Sequence, residues 1–297
     1  MYVPNTFPYR TKLANICKLV IREGAMYYGR QLIFRNKYHI VKHFASFLFL
    51  SLLGSISLAQ GGFGPQQTIS YSADMVVQIF AADLDGDGDD DALSASQGDN
   101  KIAWYENLGS GSFGPIQVIS TNAMWAQGVY AIDLDADGDN DVISASYNDD
   151  KIALYQNDGS GNFGAEIVLT NALNGAIHVI ASDVDNDGDH DILGCGLFSN
   201  EIAYFENLGS GVFNTMIAVA NPYAPVHVEA ADVDLDGDQD LLCSSHLNVY
   251  LYENMGGSPP SFGPAVIIDA GYSGGSYTKV SVRASTSFLK FFMAVDL

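Results

Sequence analysis

After residue 60 the chain repeats itself about every fifty residues, and this period constrains its fold more than any other feature. Phe63-Gly64, Phe113-Gly114, Phe163-Gly164, Phe213-Asn214 and Phe262-Gly263 recur at intervals of 50, 50, 50 and 49 residues. Between them, aspartate-rich loops begin at Asp83, Asp133, Asp183 and Asp232, spaced 50, 50 and 49 residues apart. A third marker keeps step: IAWYEN (102–107), IALYQN (152–157), IAYFEN (202–207) and VYLYEN (249–254). Three markers in register over four copies describe an array of one supersecondary unit, stable only when its copies stack.

Each unit reads as four short strands. In the first copy these are VVQIFAA (76–82), DALSAS (91–96), KIAWYEN (101–107) and FGPIQVIS (113–120), separated by Gly, Asn and Asp turn formers. The third strand is apolar on both faces: Ile102 and Trp104 on one, Ala103 and Tyr105 on the other. The pairs Ile152/Leu154 with Ala153/Tyr155, Ile202/Tyr204 with Ala203/Phe205, and Val249/Leu251 with Tyr250/Tyr252 repeat the pattern. A sheet wetted on one face alternates apolar with polar residues. These sheets must lie between like neighbours, so the expected fold is an all-β β-propeller of four-stranded blades. A β-solenoid also stacks repeats, but its coils are usually shorter.

The loops are DLDGDGDDD (83–91), DLDADGDND (133–141), DVDNDGDHD (183–191) and DVDLDGDQD (232–240), all of the form D-x-D-x-D-G-x-x-D. Calcium takes six to eight oxygen ligands in adaptable geometry. Carboxylates at positions 1, 3 and 5 can converge on one ion if the backbone curls around it: Asp83, Asp85 and Asp87; Asp133, Asp135 and Asp137; Asp183, Asp185 and Asp187; Asp232, Asp234 and Asp236. The glycine at position 6 permits the sharp turn that brings the position-7 carbonyl inward. That carbonyl belongs to Asp89, Asp139, Asp189 and Asp238, and position 9 (Asp91, Asp141, Asp191, Asp240) closes the shell. The pattern resembles the first half of an EF-hand loop without its position-12 Glu, and it joins strands rather than helices. Magnesium, with few protein ligands and rigid octahedral geometry, suits it less.

Charge supports a cation. Residues 1–59 hold eight Lys/Arg and one acid, leaving five Lys/Arg against 34 Asp/Glu in the rest. Of those acids 21 lie in the 36 loop residues, a density that repels itself unless cations neutralise it. Such a chain also repels nucleic acid and anionic lipid. About four calcium ions, one per complete repeat, are expected.

The Phe-Gly marker, the D-x-D-x-D-G-x-x-D loop and the aromatic-Glu-Asn strand together resemble FG-GAP/VCBS repeats, found in integrin α-subunit propellers and in secreted bacterial proteins. The resemblance runs from residue 63 to about 270. It implies a propeller whose calcium loops join the first and second strands of each blade, with loop Asp side chains and the position-7 carbonyl as ligands. Family propellers usually have more blades than the four complete ones here, so a truncated or partial propeller is expected, with a small closed ring as the alternative. Residues 63–70 (FGPQQTIS) read as a lone fourth strand, and 291–297 (FFMAVDL) matches 78–84 (QIFAADL) as the start of a fifth repeat.

Three segments follow: an N-terminal extension and signal peptide (1–59), the repeat domain (60–270) and an incomplete fifth repeat (271–297). The signal peptide rests on the uncharged run Phe44–Ala59 behind Arg30, Arg35, Lys37 and Lys42, with Ser57-Leu58-Ala59 predicting cleavage before Gln60. A membrane anchor is the competing reading, but the run is short for a span. No membrane span is expected after cleavage, and Met26 offers a second start. Cys195 and Cys243 lie four and three residues beyond the last Asp of their loops and so face opposite ways, which favours two buried thiols over a disulfide.

Columns that vary between copies are free to be specific. The turn column Gln97, Tyr147, Leu197, His246 and the strand-entry column Met75, Trp125, Gly175, Ala224 lie away from the Asp loops. Trp125 and Tyr147 are candidates to stack on a sugar ring, or else half-buried aromatics covering a blade edge. The column Gln78, Gly128, His178, His227 should line the central channel, with a metal shared by His178 and His227 as the alternative, and His190 should be solvated. No catalytic residues are assigned, because Lys and Arg are scarce and no Ser-His-Asp spacing or nucleophile elbow occurs. The expected function is a secreted or cell-surface, non-enzymatic adhesion or ligand-binding scaffold for extracellular protein or polysaccharide. The alternative is the propeller part of a lyase-like, polysaccharide-degrading enzyme.

Overall fold

Side chains that point apolar groups both ways need a sheet on each side, and the blades supply it. The computed structural model describes residues 66–270 and two further strands, Lys279–Arg283 and Lys290–Ala294. The first blade comprises β1 (Val76–Ala82), β2 (Asp91–Ser96), β3 (Lys101–Tyr105) and β4 (Gln117–Ser120). The second comprises β5 (Ala126–Ile132), β6 (Asp141–Ser146), β7 (Lys151–Tyr155) and β8 (Ile167–Thr170). The third comprises β9 (Ala176–Ser182), β10 (Asp191–Gly196), β11 (Glu201–Phe205) and β12 (Ile217–Ala220). The fourth comprises β13 (Pro225–Ala231), β14 (Asp240–Ser245), β15 (Asn248–Tyr252) and β16 (Val266–Ala270). Each is an antiparallel meander paired in chain order. The inner strands β1, β5, β9 and β13 stand side by side in succession. This is a β-propeller architecture with four complete blades among the described residues.

Three apolar clusters fill the spaces between blades. Ile102 and Trp104 of the first blade meet Ala153 and Tyr155 of the second. Ile152 and Leu154 then face Ala203 and Phe205 of the third, and Ile202 and Tyr204 face Tyr250 and Tyr252 of the fourth. The repeated phenylalanine seals these contacts: Phe163, Phe213 and Phe262 each pack into the cluster shared with the preceding blade. The first blade has no such cover among the described residues. Ile79 is 73% exposed, while its equivalents Val129, Val179 and Val228 are fully buried.

Three expectations need correction. The third and fourth strands are shorter than the markers suggest: Asn107, Asn157, Asn207 and Asn254 leave the sheet and make isolated bridges to Phe113, Phe163, Phe213 and Phe262. Residues 66–70 form no strand with any described sheet; they run beside the uncovered face of the first blade, where Ile69, Ile79 and Tyr105 line a cavity of about 660 Å³. At the far end, the strand packed on β13 and β14 is β17 (Lys279–Arg283), not the one containing 291–294. Those residues belong to β18 (Lys290–Ala294), which pairs antiparallel with β17. Residues 295–297, the apolar run Phe44–Ala59 and the predicted cleavage site lie outside the described residues. Among the described residues, no helix is long and apolar enough to cross a membrane.

Candidate metal centres

The four aspartate loops follow each inner strand and fold alike because their carboxylates first bind their own backbone. In the first loop Asp83 Oδ1 accepts from the Gly86 N–H at 2.8 Å and Asp83 Oδ2 from the Gly88 N–H at 3.0 Å. Asp133 holds Ala136 and Gly138 at the same two distances. The position-5 carboxylates of Asp87, Asp137, Asp187 and Asp236 accept from the position-7 N–H, at 2.9 Å in the first loop and 3.0 Å in the others. Two residues per loop take positive φ. Position 4 lies near +60 to +76° (Ala136 at 63°, Leu235 at 70°) and the position-6 glycines at 92–104°. A Cβ on Gly88, Gly138, Gly188 or Gly237 would meet nothing within 4 Å, so glycine serves the backbone angle there and not a shortage of space.

Position 9 has a second task that the loop pattern does not reveal. Asp91 is 1% exposed; its Oδ2 accepts from the Leu84 N–H (2.9 Å) and its Oδ1 from the Asn107 N–H (2.7 Å). Asp141 receives Leu134 and Asn157, Asp191 receives Val184 and Asn207, and Asp240 receives Val233 and Asn254. The asparagine side chain then reaches across to the preceding blade. Asn157 Nδ2 donates to the Leu84 carbonyl (2.8 Å), Asn207 Nδ2 to that of Leu134 (2.8 Å) and Asn254 Nδ2 to that of Val184 (2.9 Å). The reading of the sequence missed this role, although an identical Asn in every copy of the third marker was a signal for it.

Carboxylates that lean together can hold a cation. Ligand atoms of Asp83, Asp85 and Asp91 lie within 4.8 Å of one another, as do those of Asp133, Asp135 and Asp141, and of Asp183, Asp185 and Asp191. In the fourth loop the converging set is Asp232, Asp234 and Asp236. Positions 1 and 3 therefore belong to every set, position 9 joins in three loops, and position 5 in one. The side chains of Asp89, Asp139, Asp189 and Asp238 stand outside all four sets. The donors fit a hard cation, since Asp135 Oδ1 and both carboxylate oxygens of Asp185 are buried without a hydrogen bond. Burial raises the Asp135 and Asp185 carboxyls, and neighbouring carboxylates add to the rise. Burial also raises Asp91, and pushes Asp141 and Asp191 up to about 6 against the two N–H bonds that favour their ionised form.

A family model described as an FG-GAP-like repeat matches residues 83–144 and again 133–194, each match running from one aspartate loop into the strand beyond the next. Residues 83–194 are therefore FG-GAP-like repeats. No curated protein matches the chain. Among solved structures, it is similar to an Agrocybe aegerita lectin described as recognising non-reducing terminal N-acetylglucosamine (21% identity, TM-score 0.48, 64% of this chain and 51% of that one). It is also similar to a chain of the Photorhabdus luminescens Tc holotoxin pore (18% identity, TM-score 0.43, 79% of this chain and 11% of that one). The chain thus spans about half the lectin and a small part of the toxin chain.

At the opposite ends of the inner strands the two variable columns of the repeat meet. Gln97, Tyr147, Leu197 and His246 donate backbone N–H bonds to the carbonyls of Met75, Trp125, Gly175 and Ala224 at 2.9–3.2 Å. Trp125 and Tyr147 come together there, their rings stacked with centroids 5.8 Å apart, and Phe198 lies against Tyr147 at 5.4 Å. His178 and His227 pack ring on ring at 3.8 Å in the axial column. His190 is partly exposed in its loop.

Proposed function

We propose that this protein is a secreted, calcium-ordered, non-enzymatic scaffold that binds an extracellular protein or polysaccharide on the face remote from its aspartate loops. The observation that carries the calcium reading is the convergence of three carboxylates in each of four loops, with orphaned buried oxygens at position 3 of the second and third. Bound calcium would supply positive charge to these loops. Positions 1 and 3 would hold it, with position 5 or 9 and the position-7 carbonyls of Asp89, Asp139, Asp189 and Asp238 completing the set; affinity of order 10⁻⁴–10⁻³ M would suit an extracellular module.

The same reading gives the loops a structural role, since their placement is identical in every blade while the residues of the far face vary. The lyase-like alternative would require a cationic cluster to stabilise an anionic transition state. Between residues 66 and 270 the Lys/Arg residues are Lys101 and Lys151. Lys101 pairs with Asp99 at 2.6 Å; Lys151 pairs with Asp149 at 3.1 Å and Glu166 at 2.9 Å. These pairings with turn carboxylates favour a structural role for both lysines. Thermal melts with calcium and with chelator test the metal, and arrays of glycans and extracellular proteins test the binding. A melting temperature indifferent to chelator would sink the calcium reading; release of cleaved glycan would replace the scaffold with an enzyme.

A further inference from the structure

The inner strands open at their N-terminal ends onto a cavity of about 650 Å³. It is built from the entries of β1, β5, β9 and β13 and the turns that follow β2, β6 and β10, at the end of the blades opposite the aspartate loops. Its polar lining is Gln78, Gln97, Gln127, His178 and His227, and its aromatic wall is Trp125 on Tyr147. In a chain of net charge −22, no Asp, Glu, Lys or Arg among the described residues lines it. Amides both donate and accept hydrogen bonds and carry no charge, which matches hydroxyl groups and offers nothing to a carboxylate or sulfate. The volume is in the range of ligand sites, and an aromatic face with a few convergent polar groups is how such sites orient their ligands.

The backbone at Trp125 adds an independent reason. The strand-entry column is left-handed in every blade: φ is 53° at Met75, 57° at Trp125, 70° at Gly175 and 46° at Ala224. Glycine adopts this conformation without strain, and the third blade uses it. The turn is held without help from the tryptophan side chain, because the Trp125 N–H donates to Asn100 Oδ1 (2.8 Å) and its carbonyl accepts from Tyr147 (3.1 Å). The equivalent Gly175 N–H is held by Asp150 Oδ1 in the same way. A bulky residue is therefore kept in a strained conformation and 44% exposed where glycine would fold. Strain of this kind collects at functional sites.

We propose that this axial cavity binds an uncharged saccharide, with the Trp125 ring, backed by Tyr147, as the stacking platform and Gln97, Gln127, His178 and His227 as the hydrogen-bonding ring. The proposal rests on the ligand-binding reading above and narrows it to one site and one ligand class. The ring C–H face of a neutral sugar packs on the indole while its hydroxyls meet amides and imidazoles. An acidic glycan would meet no Lys or Arg among the described lining residues and would approach through the field of an acidic protein.

The full chain in calcium is tested on an array holding both neutral and uronate- or sulfate-bearing glycans, and hits are titrated by tryptophan fluorescence. Trp125→Gly, the residue the third blade carries there, is compared with the parent. Retention of neutral glycans is expected, with a loss of about tenfold or more in Trp125→Gly at an unchanged melting temperature. Trp125→Phe should recover part of that loss. Preference for anionic glycans, or neutral-glycan binding indifferent to Trp125→Gly, overturns this site while leaving the binding scaffold standing. Silence on every glycan by a calcium-folded chain also overturns it, and leaves protein ligands to the broader reading.

Discussion

Replacing Asn157 with alanine tests how the blades are joined. Its Nδ2 donates to the Leu84 carbonyl of the preceding blade at 2.8 Å and to the Asn140 carbonyl at 3.0 Å, and the residue is 7% exposed. Asn107 is the matching residue of the first blade. It also makes two side-chain bonds, from Nδ2 to the Asp90 carbonyl (2.9 Å) and to Oδ1 from the Gly109 N–H (3.0 Å), but neither crosses to another blade. Both substitutions delete the same atoms, and both leave intact the backbone N–H that each Asn donates to its own position-9 Asp. Losing two buried bonds at about 1 kcal/mol each, and leaving the Leu84 carbonyl without its partner, should cost Asn157→Ala about 3 kcal/mol. Asn107→Ala should cost about 1 kcal/mol, because water can replace its partly exposed partners. Equilibrium urea unfolding in saturating calcium measures both. A Trp125→Phe background leaves Trp104, buried between the first and second blades, as the sole fluorescent indole. Equal losses in the two variants would refute the argument, since the bond across the interface would then add nothing to the bonds within the loop.

Other outcomes follow from burial and charge. Asp141 and Asp191 are pushed up to about 6 from 3.8 by burial, so in the ion-free fold their protonation stabilises; that contribution is full below about pH 4 and lost as pH rises through 6. Calcium needs the ionised form, so the chelated protein should melt higher at pH 5 than at pH 7, while the increment from calcium should be larger at pH 7; melts at both pH values check this. Cys195 and Cys243 are free, buried and part of the cluster between the third and fourth blades. An aromatic disulfide reagent should leave both thiols unmodified in calcium and titrate both after chelation. Rapid modification in calcium would contradict that packing.

Much of this was legible in the residues because the repeat presents each position four times. The step of the markers gave the blade, the two-faced third strand gave the stacking, and the loop pattern gave the place where carboxylates converge. What escaped depends on partners distant in sequence. That Asn157 reaches Leu84, 73 residues away, follows only once two blades are set side by side. The cysteines show the same limit. Facing opposite ways on their own blades seemed to separate them, yet opposite faces of successive blades meet, and both thiols enter one cluster. The Asn–Phe bridges ended strands that apolar patterning alone would have continued, since a periodicity does not show where hydrogen bonding stops.

The bonds around position 9 also decide how calcium should act on the whole array. The Leu84 N–H binds Asp91 and the Leu84 carbonyl binds Asn157, whose own N–H binds Asp141. Asp141 binds the Leu134 N–H, the Leu134 carbonyl binds Asn207, and the chain continues through Asp191, Val184 and Asn254 to Asp240. Each of the first three carboxylate clusters is thus two hydrogen bonds from the interface with the next blade. Repulsion among unneutralised carboxylates in one loop should loosen the position-2 residue, and with it the seam to the following blade. Nearest-neighbour coupling of this kind makes repeats order together. A calcium titration followed by Trp104 in the first interface and by the thiols in the third should therefore give superimposable curves. Curves separated by more than about threefold in midpoint, or roughly 0.6 kcal/mol, would mean that each blade answers to its own ion.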